Sequence, residues 1–593
     1  MTKYLVLLNI LDRIRDEAKG TKHAPTYLPP AADAEGINQA RSRAFLHLYL
    51  KVSFGLLDFS RREHFITDGT YDGGIDGYYI NTETKLIYLI QSKFRTTEKN
   101  FSDKEITLRE LLAMDVDRIL DGRESDEQGN QYNGKILQLQ REIRQTENIG
   151  RYTYKIVVLA NVEITVSQLS KLFGSYACEV FNYDKSYDLL VFPVITGTFF
   201  NASDLIIHLD LSNKNAGSKI SYTVDTQYGE CEITALFVPT LEIARTFHRY
   251  KNSILKFNPR SYLELEGAKV NAAIRNTILL EGRNEFALYN NGITMLSDET
   301  NLNEKIGQRS KAQLNVRNPQ IINGGQTAYT LSRIYEETPE DEREPLFAGK
   351  ELLLKLITLS TGSQSTQKAK LDLIEAISIA TNQQTVVITA DRYSNESFNV
   401  ELQKRLFQRY GLLYERKRGE FQDGINQQYI DRKEVVERNL FFRVYLAANG
   451  DFKRAVEKKV FARAMAANEK QPSDEELARF YFAFLCLKLL GSDDQLALRK
   501  NKTLCTKLYA MATWYKPSAV ADFQGSAAKG AETFPSRWDR FIKHGEATAT
   551  DFIRVRPDKV TKESVQRFDT YGWFRSKDFL TAVELSSDDV GGI

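Results

Sequence analysis

Residues 72–93, DGGIDGYYINTETKLIYLIQSK, hold a carboxylate, an amide and an ammonium at spacings that chemistry can use. Ile75 to Asn81 alternates and is rich in aromatic and β-branched residues, which predicts a strand. Asn81 to Thr84 is a polar break of turn composition, and Leu86 to Lys93 predicts a second strand. In a hairpin folded about Glu83, residues whose numbers sum to about 166 face each other, which sets Asp76 across from Ile90 and Gln91. Gln91 and Lys93, two apart, share one face of their strand. A carboxylate and an amide oxygen are hard ligands suited to Mg²⁺, and a lysine beside them can orient or deprotonate an attacking water. Asp72 reads either as a further member of this group or as the residue that shapes the Asp-Gly-Gly turn. The alternative for the whole stretch is a surface hairpin whose polar ends are solvated.

The flanking sequence supplies elements to hold the hairpin. Met1 to Glu17 carries charges inside an apolar pattern and predicts an amphipathic helix rather than a signal peptide. A second helix from about Ala34 has a buried stripe at Ile37, Ala40, Ala44, Leu48 and Val52, and Gly55 stands at its C-cap. Arg61 to Thr67 reads as a strand entering the hairpin through Asp68 and Gly69. Beyond Lys93 the expected order is a helix over 103–120, a polar loop, another helix, a strand at Tyr152 to Ala160, a helix at Ser167 to Phe173 and a last strand at Leu189 to Val194. That is an α/β core around a mixed sheet, ending near residue 200.

An aspartate, a strand and then Gln-x-Lys resemble the core of the PD-(D/E)xK nucleases, and GGID…QSK is most similar to their Mrr-type restriction endonucleases. The resemblance implies a catalytic set of Asp76, Gln91 and Lys93, with Mg²⁺ (Mn²⁺ as substitute) held by Asp76, Gln91 and the Ser92 main-chain carbonyl. It also implies a glutamate from the preceding helix, for which Glu35 is the candidate by position. A first-turn acid favoured by the helix dipole is the preferred reading of Glu35.

Composition narrows the classes. The 593 residues are enough for several domains, and 42% hydrophobic with 27% charged is ordinary for a globular protein. A net charge of +2 gives no global basic signature, so nucleic acid must be met by local patches. The four cysteines form no CxxC and the six histidines do not cluster, which argues against zinc and for a reducing, cytoplasmic setting. No apolar run approaches the roughly 18 residues that span a bilayer.

From about 220 the motifs change. Phe257 to Leu263 (FNPRSYL), Val270-Asn271, Phe286 to Thr294 (FALYNNGIT), Pro319 to Thr327 (PQIINGGQT), Thr381 to Thr385 (TNQQT) and Tyr414 to Phe421 (YERKRGEF) occur in that order. Together they resemble the AIPR family, abortive infection phage resistance, over roughly 240 to 450. The resemblance implies an antiviral role without fixing a chemistry. Asn323, Gly324 and Gly325 at a strand-to-helix turn, with Gln326 and Thr327 after them, read equally as an anion-holding nest or as a tight turn. Asn290 and Asn291 read as structural turn amides. Arg416, Lys417 and Arg418 beside Tyr414 read equally as a nucleic-acid contact or as a solvated charged face. The dense aromatic residues of Glu475 to Leu490 read as core, and 551–574 as a small packed C-terminal unit.

The sequence therefore predicts an α/β protein in three parts. These are a restriction-endonuclease-like mixed sheet over 1–200, a central α+β AIPR domain over 201–450 and a helix-rich C-terminal region over 451–593. The expected activity is Mg²⁺-dependent endonucleolytic cleavage of nucleic acid, DNA favoured, gated by the AIPR domain in antiphage defence. The alternative is a nuclease-dead sensor that binds a phage product or nucleic acid and regulates a partner. Nucleic acid is the expected partner and a membrane is not; a homo-oligomer or a defence-system partner protein is compatible with the sequence.

Overall fold

The computed structural model describes residues 2–82, 84–198, 204–211, 219–226, 229–255, 258, 268–279, 285–359, 377, 397–466, 470–490, 498–499, 501–557 and 564–586. Helices and strands are mixed, and the chain divides into two compact units. One holds residues 1–387 and 417–434, the other 388–416 and 435–593, so compactness divides the chain at neither 200 nor 450. Among the described residues no helix is long and apolar enough to cross a membrane.

The first unit opens with four helices, α1 Lys3–Asp16, α2 Ala24–Tyr27, α3 Ala34–Phe54 and α4 Phe59–His64. Asp33 caps α3 by accepting the Gly36 amide, and Gly55 ends it at φ 64°. The predicted stripe on α3 is present, but the helix is buried on all sides from Ala44 to Leu50, as expected of an element enclosed by others. Within this helical layer His47 is fully buried. Its Nδ1 accepts from Arg62 Nε at 3.2 Å. A guanidinium only donates, so the ring proton lies on Nε2, 3.0 Å from Glu63 Oε2. Tyr27 also donates to Glu63, and Glu17 pairs with both Lys51 and Arg62.

The expected strand over Arg61 to Thr67 is a correction. Asp58 accepts the Arg61 amide and starts α4, leaving a single bridge from Ile66 to Gly77. Then come β1 Gly77–Asn81 and β2 Leu86–Ser92, followed by α5 Glu98–Asp103, α6 Leu108–Leu112, α7 Val116–Leu120 and α8 Gly134–Gln145. The single helix expected over 103–120 is thus broken. Ile106 donates to Asn161 across the structure, and Thr107 starts a new helix with a capping box to Glu110.

β3 Thr153–Leu159, α9 Val166–Leu172 and β4 Ala177–Val180 complete the sheet, in the order β1-β2-β3-β4. The first pair is antiparallel and the other two are parallel, which the intervening helices permit. The expected last strand at Leu189 to Val194 is helical, and β4 takes its place. The buried residues there, Tyr187, Leu190, Val191, Val194 and Ile195, recur at helical rather than strand spacing. The sheet lies between α3, whose Phe54 stacks on Tyr79 at 4.2 Å, and a core of Ile75, Tyr78, Leu89, Leu111, Ile119 and Leu139 from the hairpin and α6–α8.

Further on, β5 Asp204–Asp210 pairs in a three-stranded sheet with β9 Glu299–Asn303 and β10 Lys311–Arg317. A five-stranded sheet runs β11 Gln320–Asn323, β8 Ile293–Ser297, β12 Glu351–Leu359, β7 Gly229–Pro239 and β6 Ile220–Thr226. The helix Gly325–Glu337 follows β11, as the sequence predicts. The second unit is helix-rich around one aromatic core that includes Phe441, Phe480, Phe484, Trp514, Trp538 and Trp573, and Asp474–Leu489 matches the expected buried helix.

Candidate functional site

The β1–β2 register runs Gly77 to Ile90 through Asn81 to Leu86, and the Asp76 amide continues it by donating to Ile90 O at 2.8 Å. Asp76 therefore lies opposite Gln91 at the open end of the hairpin. Its Oδ2 accepts the Ser92 amide at 2.6 Å. The loop before it is tightly made. Asp72 accepts the Gly69 and Gly74 amides at 3.0 and 2.9 Å, and the Asp76 carbonyl accepts from Thr67 and Asp68. Gly74 has φ 70°, and a Cβ there would stand 2.8 Å from the Ala113 carbonyl, so only glycine lets the loop meet the turn after α6.

Folding back in this way brings Asp68, Asp72 and Asp76 together, each with one carboxylate oxygen within 4.8 Å of the others. Arg43 of α3 fixes Asp68 through Nε at 3.0 Å. Burial pushes Asp76 up to about 8, reinforced by Asp72 and Asp68 and opposed by the Ser92 amide and Lys93. Burial also raises Asp72, while the Gly69 and Gly74 amides act the other way. Carboxylates crowded to the point of retaining a proton gain from a cation between them.

Gln91 is 8% exposed, and its Nε2 donates to the Glu110 carbonyl at 3.0 Å. A carbonyl only accepts, so this bond fixes the amide orientation and leaves Oε1, which is buried without a hydrogen-bond partner. An orphaned amide oxygen opposite an acid cluster fits a hard divalent cation. Lys93 Nζ lies 2.8 Å from Glu110 Oε1. The other Glu110 oxygen accepts from the Thr107 amide and hydroxyl, both at 2.9 Å. Against the cost of burial, Lys93 and Thr107 hold Glu110 down at about 2. Glu110 thus ties both Gln91 and Lys93 to α6.

The structure brings Asp76, Gln91, Ser92 and Lys93 to one strand end. Glu35 stays exposed in the first turn of α3 and is not one of the three clustered acids, in keeping with the helix-dipole reading. Sequence reasoning missed Asp68, Glu110 and Arg43. The four-residue spacing of Asp68, Asp72 and Asp76 ahead of a strand was the available signal for the first; Glu110 and Arg43 carry none.

The later motifs also converge. Gly324 has φ 81°, and a Cβ there would lie 2.6 Å from the Gly292 carbonyl, so the two glycine turns touch. Asn323 Oδ1 accepts the Gly324 amide, and Asn290 donates to Thr327 Oγ1 at 3.0 Å. Gln326 and Thr330 both donate to Asn271 Oδ1, at 2.9 and 3.0 Å. Gly325 begins the helix, which has no side-chain cap. Lys417 is 5% exposed and donates to the Asn258 carbonyl at 3.2 Å. These side chains largely hold one another.

In the second unit Arg416 donates to Gln403 at 3.0 Å, and Tyr414 is fully buried with its hydroxyl on Asn399, so it offers no stacking face. Arg418, in the first unit, is half-buried. Thr381 to Thr385 and most of Phe257 to Leu263 lie outside the described residues.

No curated protein and no solved structure matches the chain. The family model described as AIPR protein matches residues 255–503, a span that reaches past the motifs and into both compact units. That match supports the AIPR family for this part of the chain.

Proposed function

We propose that the chain is an antiphage defence nuclease that hydrolyses phosphodiester bonds of nucleic acid, DNA favoured, with Mg²⁺ or Mn²⁺, under control of its AIPR region. The defence role rests on the AIPR match. The nuclease reading rests above all on the unpartnered, buried Gln91 oxygen at the strand end that also carries Asp76 and Lys93. Asp76 and Gln91, with Asp72, Asp68 and the Ser92 carbonyl near them, are the residues that would hold the cation. The cation when bound supplies Lewis acidity towards the phosphate.

In the reaction a water oxygen bonds to phosphorus as the bond to the leaving sugar oxygen breaks. Lys93 orients that water or neutralises charge developing on the phosphate, and Glu110 holds the lysine at its post. A second reading, a binding protein that does not cut, draws on one observation: the Lys93 ammonium is already engaged by Glu110.

Incubation of plasmid, linear DNA and total RNA with the purified chain and Mg²⁺ or Mn²⁺ separates the two. Metal-dependent cleavage that Lys93→Ala abolishes is the expected result. Intact substrates under every condition would leave the binding protein.

A further inference from the structure

Of the nine buried side-chain polar atoms without a hydrogen-bond partner among the described residues, three fall within Gln91 to Arg95: Gln91 Oε1, Ser92 Oγ and Arg95 Nε. A native protein leaves few such atoms unpaired, so their concentration on five residues points to a ligand. The Gln91 oxygen lies on the strand opposite Asp76. Arg95 faces a different place, a pocket lined by Lys93, Arg95, Lys104, Asn182, Phe101 and Phe181 among others, with no carboxylate among its lining residues.

Several donors there are not fully engaged. Arg95 gives a terminal nitrogen to the Glu105 carbonyl and keeps Nε unpaired. Lys104 is exposed and has no ion-pair partner among the described residues. Asn182 accepts the Lys185 amide through Oδ1 at 2.9 Å, which leaves its NH₂ without a protein acceptor. A pocket of donors without a carboxylate suits an anion such as a phosphate. Lys93 lines this pocket and also stands at the candidate catalytic end of β2.

We propose that this pocket takes a backbone phosphate of the nucleic-acid strand and so seats the strand beside the phosphodiester to be cut. This rests on the nuclease reading for its purpose but not for its chemistry. Asn182→Asp is the informative change. Asp serves as well as Asn at a helix N-cap, so the turn survives while a negative charge enters the pocket. Lys104→Glu reverses a cation on an exposed side chain, and Lys99→Glu makes the same charge change outside the lining.

The test uses the full chain in EDTA. Anisotropy reads binding of a labelled single-stranded oligonucleotide, calorimetry reads binding of a deoxynucleoside 5′-monophosphate, and melting temperatures confirm folding. Asn182→Asp and Lys104→Glu should each weaken both ligands roughly tenfold, the effect of losing about one charge-assisted hydrogen bond, and Lys99→Glu should not. If wild type cuts nothing yet these losses appear, the pocket stands and the nuclease reading falls. If wild type cuts, and both pocket variants bind the two ligands as the Lys99→Glu chain does, the pocket is overturned and the nuclease reading stands.

Discussion

Lys93 ends a strand, is well exposed, and pairs with a carboxylate that is itself partly solvated. Such a pair contributes about 1 kcal/mol or less to stability. Lys93→Ala should therefore abolish cleavage and phage protection with a melting temperature close to wild type. Full protection at normal expression would remove Lys93 from the mechanism. Glu110→Gln isolates the role assigned to Glu110. Gln also serves at the third position of a capping box, and the Gln91 contact is to the main-chain carbonyl, so what is lost is the charge facing Lys93. The expected outcome is kcat lowered roughly tenfold with KM unchanged; equal fall in Lys104→Glu-like binding without loss of kcat would make Glu110 a binding residue instead. Asp76→Asn keeps an acceptor for the Ser92 amide while removing an anionic ligand. Titration calorimetry with Mn²⁺ should show affinity at least about tenfold lower than wild type, and equal affinities would take Asp76 out of the site.

At the level of elements, stability against acid should come from the buried set between the N-terminal helices. Burial, with the Arg62 cation adding to it and the Glu63 bond opposing it, brings His47 down to about 4. An unfolded imidazole binds its proton near 6.5, so between these values the unfolded chain holds more protons and stability falls as pH drops. Against burial, Lys51 and Arg62 hold Glu17 low and the His47 and Tyr27 bonds hold Glu63 low, so both carboxylates lose stability in the same direction below their ordinary range. Asp76, raised by burial, titrates against this trend in the metal-free chain, so the His47 contribution is read as a difference. From pH 6.5 towards 4 the melting temperature of wild type should fall relative to that of His47→Gln, and parallel curves would contradict the assignment. This set was not legible in the sequence, because its members come from four helices whose packing no local pattern specifies. The hairpin was legible, since period-two alternation and a polar break fix both register and facing pairs. The errors share one cause. Leu189 to Val194 and Arg61 to Thr67 are short apolar or mixed runs whose period is ambiguous, and for the second the Asp58 cap decided the outcome.

For the whole molecule, the sequence ordered the later motifs correctly but could not distinguish a ligand site from a scaffold. Asn258, Asn271, Asn290, Gln326 and Thr327 turn out to be spent largely on one another or on the main chain, and Gly324→Val would clash with Gly292, so that variant tests folding rather than recognition. Lys417, buried on the Asn258 carbonyl, is likewise a poor phosphate ligand. On the pocket proposal, the cations that meet nucleic acid are local: Lys93, Arg95 and Lys104. Counterion release at that pocket then sets the salt sensitivity expected of it. A protein that neutralises about three phosphates of a single strand should show a slope of log affinity against log salt near −2, at roughly 0.7 per contact. Lys104→Glu should make the slope shallower by about one contact, as loss of a phosphate contact does, whereas Lys417→Met should lower the melting temperature and leave the slope alone. Anisotropy titrations of the full chain across a series of salt concentrations give these slopes directly. A slope several times steeper would mean that a basic surface elsewhere in the chain carries the nucleic acid, and that the pocket beside Lys93 is at most a minor part of the contact.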